Sequence, residues 1–158
     1  MELAENSQKL ALICDDTETV EPVRKTLEGQ GYKCYISESP ERALERLGQA
    51  SFDVLMIGER YGGEDLRSNP VHELVSNMQM DQRRHTFVFL VGDSLTTLNA
   101  MEAFAASVHL VVNPAQMGSL GPILRKSLSD FELFYRVYND VSENQRHGAR
   151  KIDLRPGI

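Results

Sequence analysis

Tryptophan is absent from this chain, cysteine occurs only twice, and no apolar run approaches the ~20 residues needed to cross a bilayer. Two cysteines cannot build the disulfide lattice of a small secreted domain. Cys14 and Cys34 both fall in apolar runs and read as buried small hydrophobes rather than as a redox pair. The opening residues, Met1-Glu2-Leu3-Ala4-Glu5-Asn6, are acidic and lack the basic-then-apolar order of an export signal, so a cytoplasmic setting is expected. The four histidines, His72, His85, His109 and His147, are scattered without ligand-pair spacing. Gly62-Gly63 has no lysine-serine partner and opens no helix, so it reads as a turn rather than a phosphate cradle. No nucleophile elbow is present either. Positive charge is also short: the net charge of −6 argues against nucleic-acid binding by the domain as a whole.

What is present is the material of one α/β domain. At 158 residues, with 41% hydrophobic and 25% charged residues, the chain is long enough to bury a core and ordinary in composition. Its central stretch is Phe52-Asp53-Val54-Leu55-Met56-Ile57-Gly58, an apolar run bounded by turn chemistry, as expected of a strand buried on both faces. Similar runs occur at Lys9–Cys14, Tyr32–Ile36, Thr86–Val91 and Val108–Val112. Between them lie helical segments. The first is capped by Thr17 or Thr19, with Val20, Val23 and Leu27 inward, and the second opens on Ser39-Pro40-Glu41, with Ala43, Leu44 and Leu47 inward. A third spans Pro70–Met80, with Val71, Leu74, Val75 and Met78 inward, and a fourth spans Leu95–Ser107. A last helix runs from about Ser119 to Val141. Five βα units predict a doubly wound parallel sheet of flavodoxin-like order 2-1-3-4-5.

The last helix is longer than such a sheet needs, and it carries two apolar rows. One is Leu124, Leu128, Phe131, Tyr135 and Tyr138; the other is Leu120, Ile123, Phe134, Val137 and Val141. One row suffices to cover a sheet, so the C-terminal half is expected to project and meet a partner or its own copy in a homodimer. Leu128, Phe131, Phe134, Tyr135 and Tyr138 are the expected interface. Residues 1–143 form the domain. Residues 144–158 are a polar tail in which Arg146, Arg150, Lys151 and Arg155 outweigh Asp153.

An acidic pair after strand one, the Asp-Val-Leu-Met-Ile motif of strand three, and a residue-then-proline after strand five make residues 8–130 resemble a response-regulator (CheY-like) receiver domain. The resemblance implies phosphoryl transfer to an aspartate at the end of strand three. It also implies a magnesium ion held by the acidic pair and that aspartate, a Thr or Ser after strand four, and a Lys after strand five. Carried over, the acidic pair falls on Asp15 and Asp16, which match. The acceptor falls on Gly58, the hydroxyl on Val91, the lysine on Asn113 and the strand-five aromatic on Leu110; only Pro114 otherwise fits.

The expectation is therefore a degenerate pocket of Asp15, Asp16, Gly58, Glu59, Val91, Asn113 and Pro114. It has no catalytic residue, is not phosphorylated at the usual site, needs no cofactor and binds magnesium weakly at most through Asp15 and Asp16. The preferred expectation for these acids is structural, with Asp16 and Thr17 capping the first helix. The chain would be a non-enzymatic pseudo-receiver signalling through protein contacts, without membrane or nucleic-acid partners. The alternatives are an atypical receiver that holds a cation or phosphoryl group through Glu59 and Ser94, and a flavodoxin-like protein binding a small ligand.

Overall fold

A computed structural model describes residues 8–153, with side chains as far as Val137. Five strands, β1 (Lys9–Cys14), β2 (Tyr32–Ser37), β3 (Val54–Gly58), β4 (Phe87–Val91) and β5 (Leu110–Val112), form one sheet in the order β2-β1-β3-β4-β5, every pair parallel. β3 and β4 are buried at every position, as their unbroken apolar composition requires.

The two-residue period of each strand splits its side chains between two cores. Ala11, Ile13, Val54, Met56, Phe87 and Phe89 face α1 (Val20–Gly29) and the last helix, α6 (Leu120–Asp153). Leu12, Leu55, Ile57, Val88 and Leu90 face α2 (Pro40–Gln49), α3 (Pro70–Ser76) and α5 (Ala100–Ala105). The single turn α4 (Met80–Arg83) lies between α3 and β4. Because all strands run the same way, the ends of β1, β3 and β4 meet at one edge, and Gly58 pairs there with Val91.

Several boundaries differ from the sequence reading. The helix expected to reach Met80 stops at Ser76. The Asn77 amide folds back to donate to the Glu73 carbonyl at 3.0 Å, Arg83 donates to the Val75 carbonyl at 3.2 Å, and Gln79 is extended. Leu74, expected inward, is exposed. The helix expected over Leu95–Ser107 shrinks to Ala100–Ala105. The loop before it is tied down: Asn113 donates to the carbonyls of Asp93 and Leu95, Thr96 N–H donates to Glu102, and Leu98 N–H donates to Val111. β5 starts two residues later than expected, at Leu110. Neither Asp16 nor either threonine caps α1: Thr19 holds the N-cap position without a side-chain bond, its hydroxyl being used elsewhere. The last helix outruns its expected end at Val141 and passes through the boundary at 143 without a break. Residues 1–7 and 154–158, and the side chains of Tyr138, Val141 and His147, lie outside the described residues.

Candidate functional site

A cleft lies at the strand ends, and the first acid of the Asp15-Asp16 pair is turned inward. Cys14 pairs with Ile57, which sets Asp15 beside Gly58. A β-carbon added at Gly58 would lie no more than 2.8 Å from Cγ, Oδ1 and Oδ2 of Asp15, closer than non-bonded atoms sit. The Asp15 carboxylate thus occupies the space that a side chain at Gly58 would need. It is only 4% exposed. A buried carboxylate must be hydrogen-bonded or it is very costly. Here Asp16 N–H donates to Oδ1 at 2.9 Å, and the hydroxyls of Thr17 and Thr19 donate to Oδ2 at 2.7 and 2.9 Å.

These bonds bear on the cation that the receiver resemblance implies. Magnesium takes about six oxygen ligands in near-octahedral array. Both Asp15 oxygens are committed to the loop and Gly58 contributes none, which leaves Asp16 exposed beside them. Among the described residues no group of three or more His, Cys, Asp or Glu side chains is placed to hold a metal. The donor set does not fit the ion.

Around this plug lies a cleft of about 290 Å³ lined by Asp15, Asp16, Glu18, Glu59 and Asp93, with Arg60 opposing them. Arg60 and Asp93 form an exposed ion pair at 3.0 Å. Gly58, Val91 and Pro114 also line the cleft, but the Val91 side chain belongs to the core between the sheet and α1–α6. Asn113 is not part of the lining. Its amide is spent on the loop before α5, and its oxygen accepts from Ala115 N–H at 2.9 Å. Leu110 is buried in the sheet.

Glu59 and Ser94, the two shifted candidates, do come together: the Ser94 hydroxyl donates to Glu59 Oε2. The Glu59 side chain lies over Gly92, where a β-carbon would overlap it, and its Oε1 is buried without a hydrogen-bond partner. The carboxylate thus packs against Gly92 after β4 while its residue still lines the cleft.

Two residues that hold this edge together escaped the sequence reading. Asn69 is buried and donates to the carbonyls of Gly58 and Glu59 at 2.9 and 3.4 Å, while its oxygen caps α3 by accepting from Val71 and His72 N–H. Asn69-Pro70 was legible as a helix start; the reach back to Gly58 was not. Tyr61, wholly buried, donates its hydroxyl to the Ser37 carbonyl and so ties the β3 loop to the end of β2.

Three of the five expected interface residues, Leu128, Phe131 and Tyr135, pack into the fold instead of projecting, because their row is the one that lies on the sheet. Leu124 and Leu128 are buried, and Phe131 and Tyr135 are half-buried at the opposite edge of the sheet. There Phe131 packs edge-on to Phe87 at 5.4 Å and to His109 at 4.8 Å. Lys9, the first residue of β1, pairs with Glu132 at 3.2 Å. Burial first, then the Arg83 charge, hold the His109 imidazole down to about 4. In the second row Leu120 is buried and Ile123 half-buried, but Phe134 and Val137, with the adjacent Leu133, are exposed at 64, 56 and 59%. A second exposed row lies on and before α5: Leu98, Met101 and Phe104, the last 82% exposed. Another cleft, about 540 Å³, lies under α6 beside Lys9, Asp53, Arg84 and Glu132, and its charges are mixed. Burial raises both thiols, Cys34 to about 11 with Glu28 adding to the rise.

No family model matches the chain. No curated protein matches it in sequence. Its structural neighbours include response regulators and their receiver domains. A response regulator receiver domain protein (CheY-like) from Methanospirillum hungatei superposes with a TM-score of 0.59 at 18% identity, over 80% of this chain and 98% of that one. HP1043, an orphan response regulator of H. pylori, gives 0.56 at 15% identity over 76% and 96%. A protein carrying residues 181–211 of the yeast Spc42 trimeric coiled coil gives 0.62 at 18% identity, over 92% of both chains. These likenesses establish that the chain has the CheY-like receiver fold.

Proposed function

We propose that this chain is a receiver-type signalling domain that has given up aspartyl phosphorylation and acts by contact with other proteins. One observation carries the reading: the acceptor position is Gly58, and the side chain of Asp15 fills the room an acceptor would need. Aspartyl phosphorylation requires a carboxylate nucleophile facing the phosphoryl group, with cations to offset the charge. Here the acceptor is missing, the lysine position is Asn113, and the charged residues lining the cleft are five acids against Arg60 alone. On this reading the chain catalyses nothing and needs no cofactor. Its output surfaces are exposed apolar rows, which mark interaction sites. The α6 row, Leu133, Phe134 and Val137, is the stronger candidate, because it lies on the helix that continues past its contacts with the sheet.

The contact of Ser94 with Glu59 supports a second reading, a shifted phosphoryl or cation site. An amide NMR titration with magnesium, then with magnesium and beryllofluoride, decides between them. No saturable shift at Asp15, Asp16, Gly58 or Glu59 is expected. Saturable beryllofluoride shifts lost in Glu59→Gln would overturn the first reading in favour of the second.

A further inference from the structure

We propose that the cleft under α6, at the edge of the sheet opposite Gly58, is a binding site for a small organic anion with an aromatic body. Its volume of about 540 Å³ falls within the ~300–1,000 Å³ of small-molecule sites. It shares no lining residue with the cleft around Asp15, so a ligand here is independent of the lost acceptor.

The apolar wall comes from the helix. Leu128, Phe131 and Tyr135 recur at steps of three and four and share the face turned to the sheet. Tyr32, at the start of β2, lines the cleft with them. Burial first, then the charges of Glu132 and Asp53, push its phenol up to about 12, so it stays protonated as a donor.

The charges decide the sign of the ligand. Three cations, Lys9, Arg84 and Arg136, line the cleft with two carboxylates, Asp53 and Glu132, and His85 adds a further donor. Both carboxylates are taken: Glu132 meets Lys9 at 3.2 Å, and Asp53 Oδ2 accepts the Leu10 N–H at 2.8 Å. Arg136 and His85 are exposed and make no ion pair among the described residues. The charge left to a ligand is therefore positive, on a chain whose net charge is −6 and whose other cleft sets five acids against Arg60. Cations beside aromatic rings suit an anion with a flat apolar body. Its acid group would meet Arg136 and His85 while its ring lies against Phe131 and Tyr135. Such an occupant would bear directly on the helix that exposes Phe134 and Val137.

Amide NMR of the full chain, titrated with indole-3-acetate, tests this, with phenyl phosphate, indole-3-acetamide and tryptamine alongside. Saturable shifts at Lys9, His85, Phe131 and Arg136 are expected with one or both anions, and the tighter of the two tells a carboxylate ligand from a phosphate. The neutral amide and the cationic amine should bind at least about tenfold more weakly than the acetate, the loss of one charge-assisted contact. Arg136→Glu should weaken the anions by a similar factor. Arg125→Glu, the same charge change on α6 outside the cleft, should leave them within about twofold because its charge is screened. No saturable shift from either anion, tryptamine binding as tightly as indole-3-acetate, or equal losses from Arg136→Glu and Arg125→Glu would overturn the proposal. Shifts that saturate only around Asp15 and Gly58 would overturn it as well.

Discussion

Asp15 and Gly58 share one volume. The carboxylate of the first occupies the space above the α-carbon of the second, and three donors from Asp16, Thr17 and Thr19 hold it there. The Asp15 carboxylate is thus the hydrogen-bonded centre of the β1–α1 loop. The two positions therefore form a coupled pair, and a change at one is felt at the other.

Gly58→Ala should accordingly destabilise the fold by about 1–3 kcal/mol, the usual cost of forcing a methyl into filled space. Asp15→Ala alone should cost about 1–3 kcal/mol by orphaning its donors. Because the second change vacates the room that the first requires, the double variant should be less destabilised than the sum. Urea unfolding of the four proteins checks this, and strict additivity would show that the two sites do not share space. The same coupling predicts that Gly58→Asp alone restores no beryllofluoride binding.

Asn69 is the joint between the pocket edge and α3. Removing its amide leaves the Gly58 carbonyl without its Asn69 donor and strips the cap from α3. Asn69→Ala should therefore cost about 2–3 kcal/mol, more than a surface cap whose loss is typically about 1 kcal/mol. A loss no larger than that of Ser39→Ala, which removes the exposed cap of α2, would deny Asn69 this second role.

The strands and their order were legible because β3 and β4 are buried on both faces and read as unbroken apolar runs. That the central run ends on a glycine, Gly58, was legible for the same reason. What could not be read was which way Asp15 turns. That depends on the parallel register setting Cys14 beside Ile57, a relationship between segments far apart in the chain. Likewise, the Leu95–Ser107 segment has helix-forming composition, yet bonds from Asn113, Val111 and Glu102 hold its first half as loop. Tertiary contacts overrode local preference there.

The two rows of α6 should separate stability from assembly. Phe131 packs against Phe87, His109 and Tyr135. Phe131→Ala should cost about 2–3 kcal/mol of folding stability, somewhat under the full value for a buried phenylalanine because the ring is half-buried. Phe134→Ser, at an exposed position, should stay within about 0.5 kcal/mol in a dilute sample. Denaturation midpoints measured at concentrations where the chain is monomeric check both values. A large cost at Phe134 under those conditions would place its ring in the fold rather than on a contact surface.

His109 gives stability a pH dependence of predictable sign. Its Nδ1 accepts the Val88 N–H at 2.9 Å, so the ring is neutral in the fold, stacked 5.5 Å from Phe87 and covered by Phe131. The folded imidazole titrates near 4, against about 6.5 when the chain is unfolded. Between those values the unfolded chain binds more protons, so stability is complete above about pH 6.5 and falls as the pH drops towards 4. The loss from this one group reaches up to about 3 kcal/mol. Carboxylates titrate over part of the same range, so the informative quantity is a difference. Urea midpoints of the native chain and of His109→Gln should draw together between pH 7 and pH 4.5, because only the native chain carries the imidazole penalty. Parallel curves would mean that the ring is protonated in the fold without cost, and that the β5 edge and α6 are held together by something other than this neutral ring.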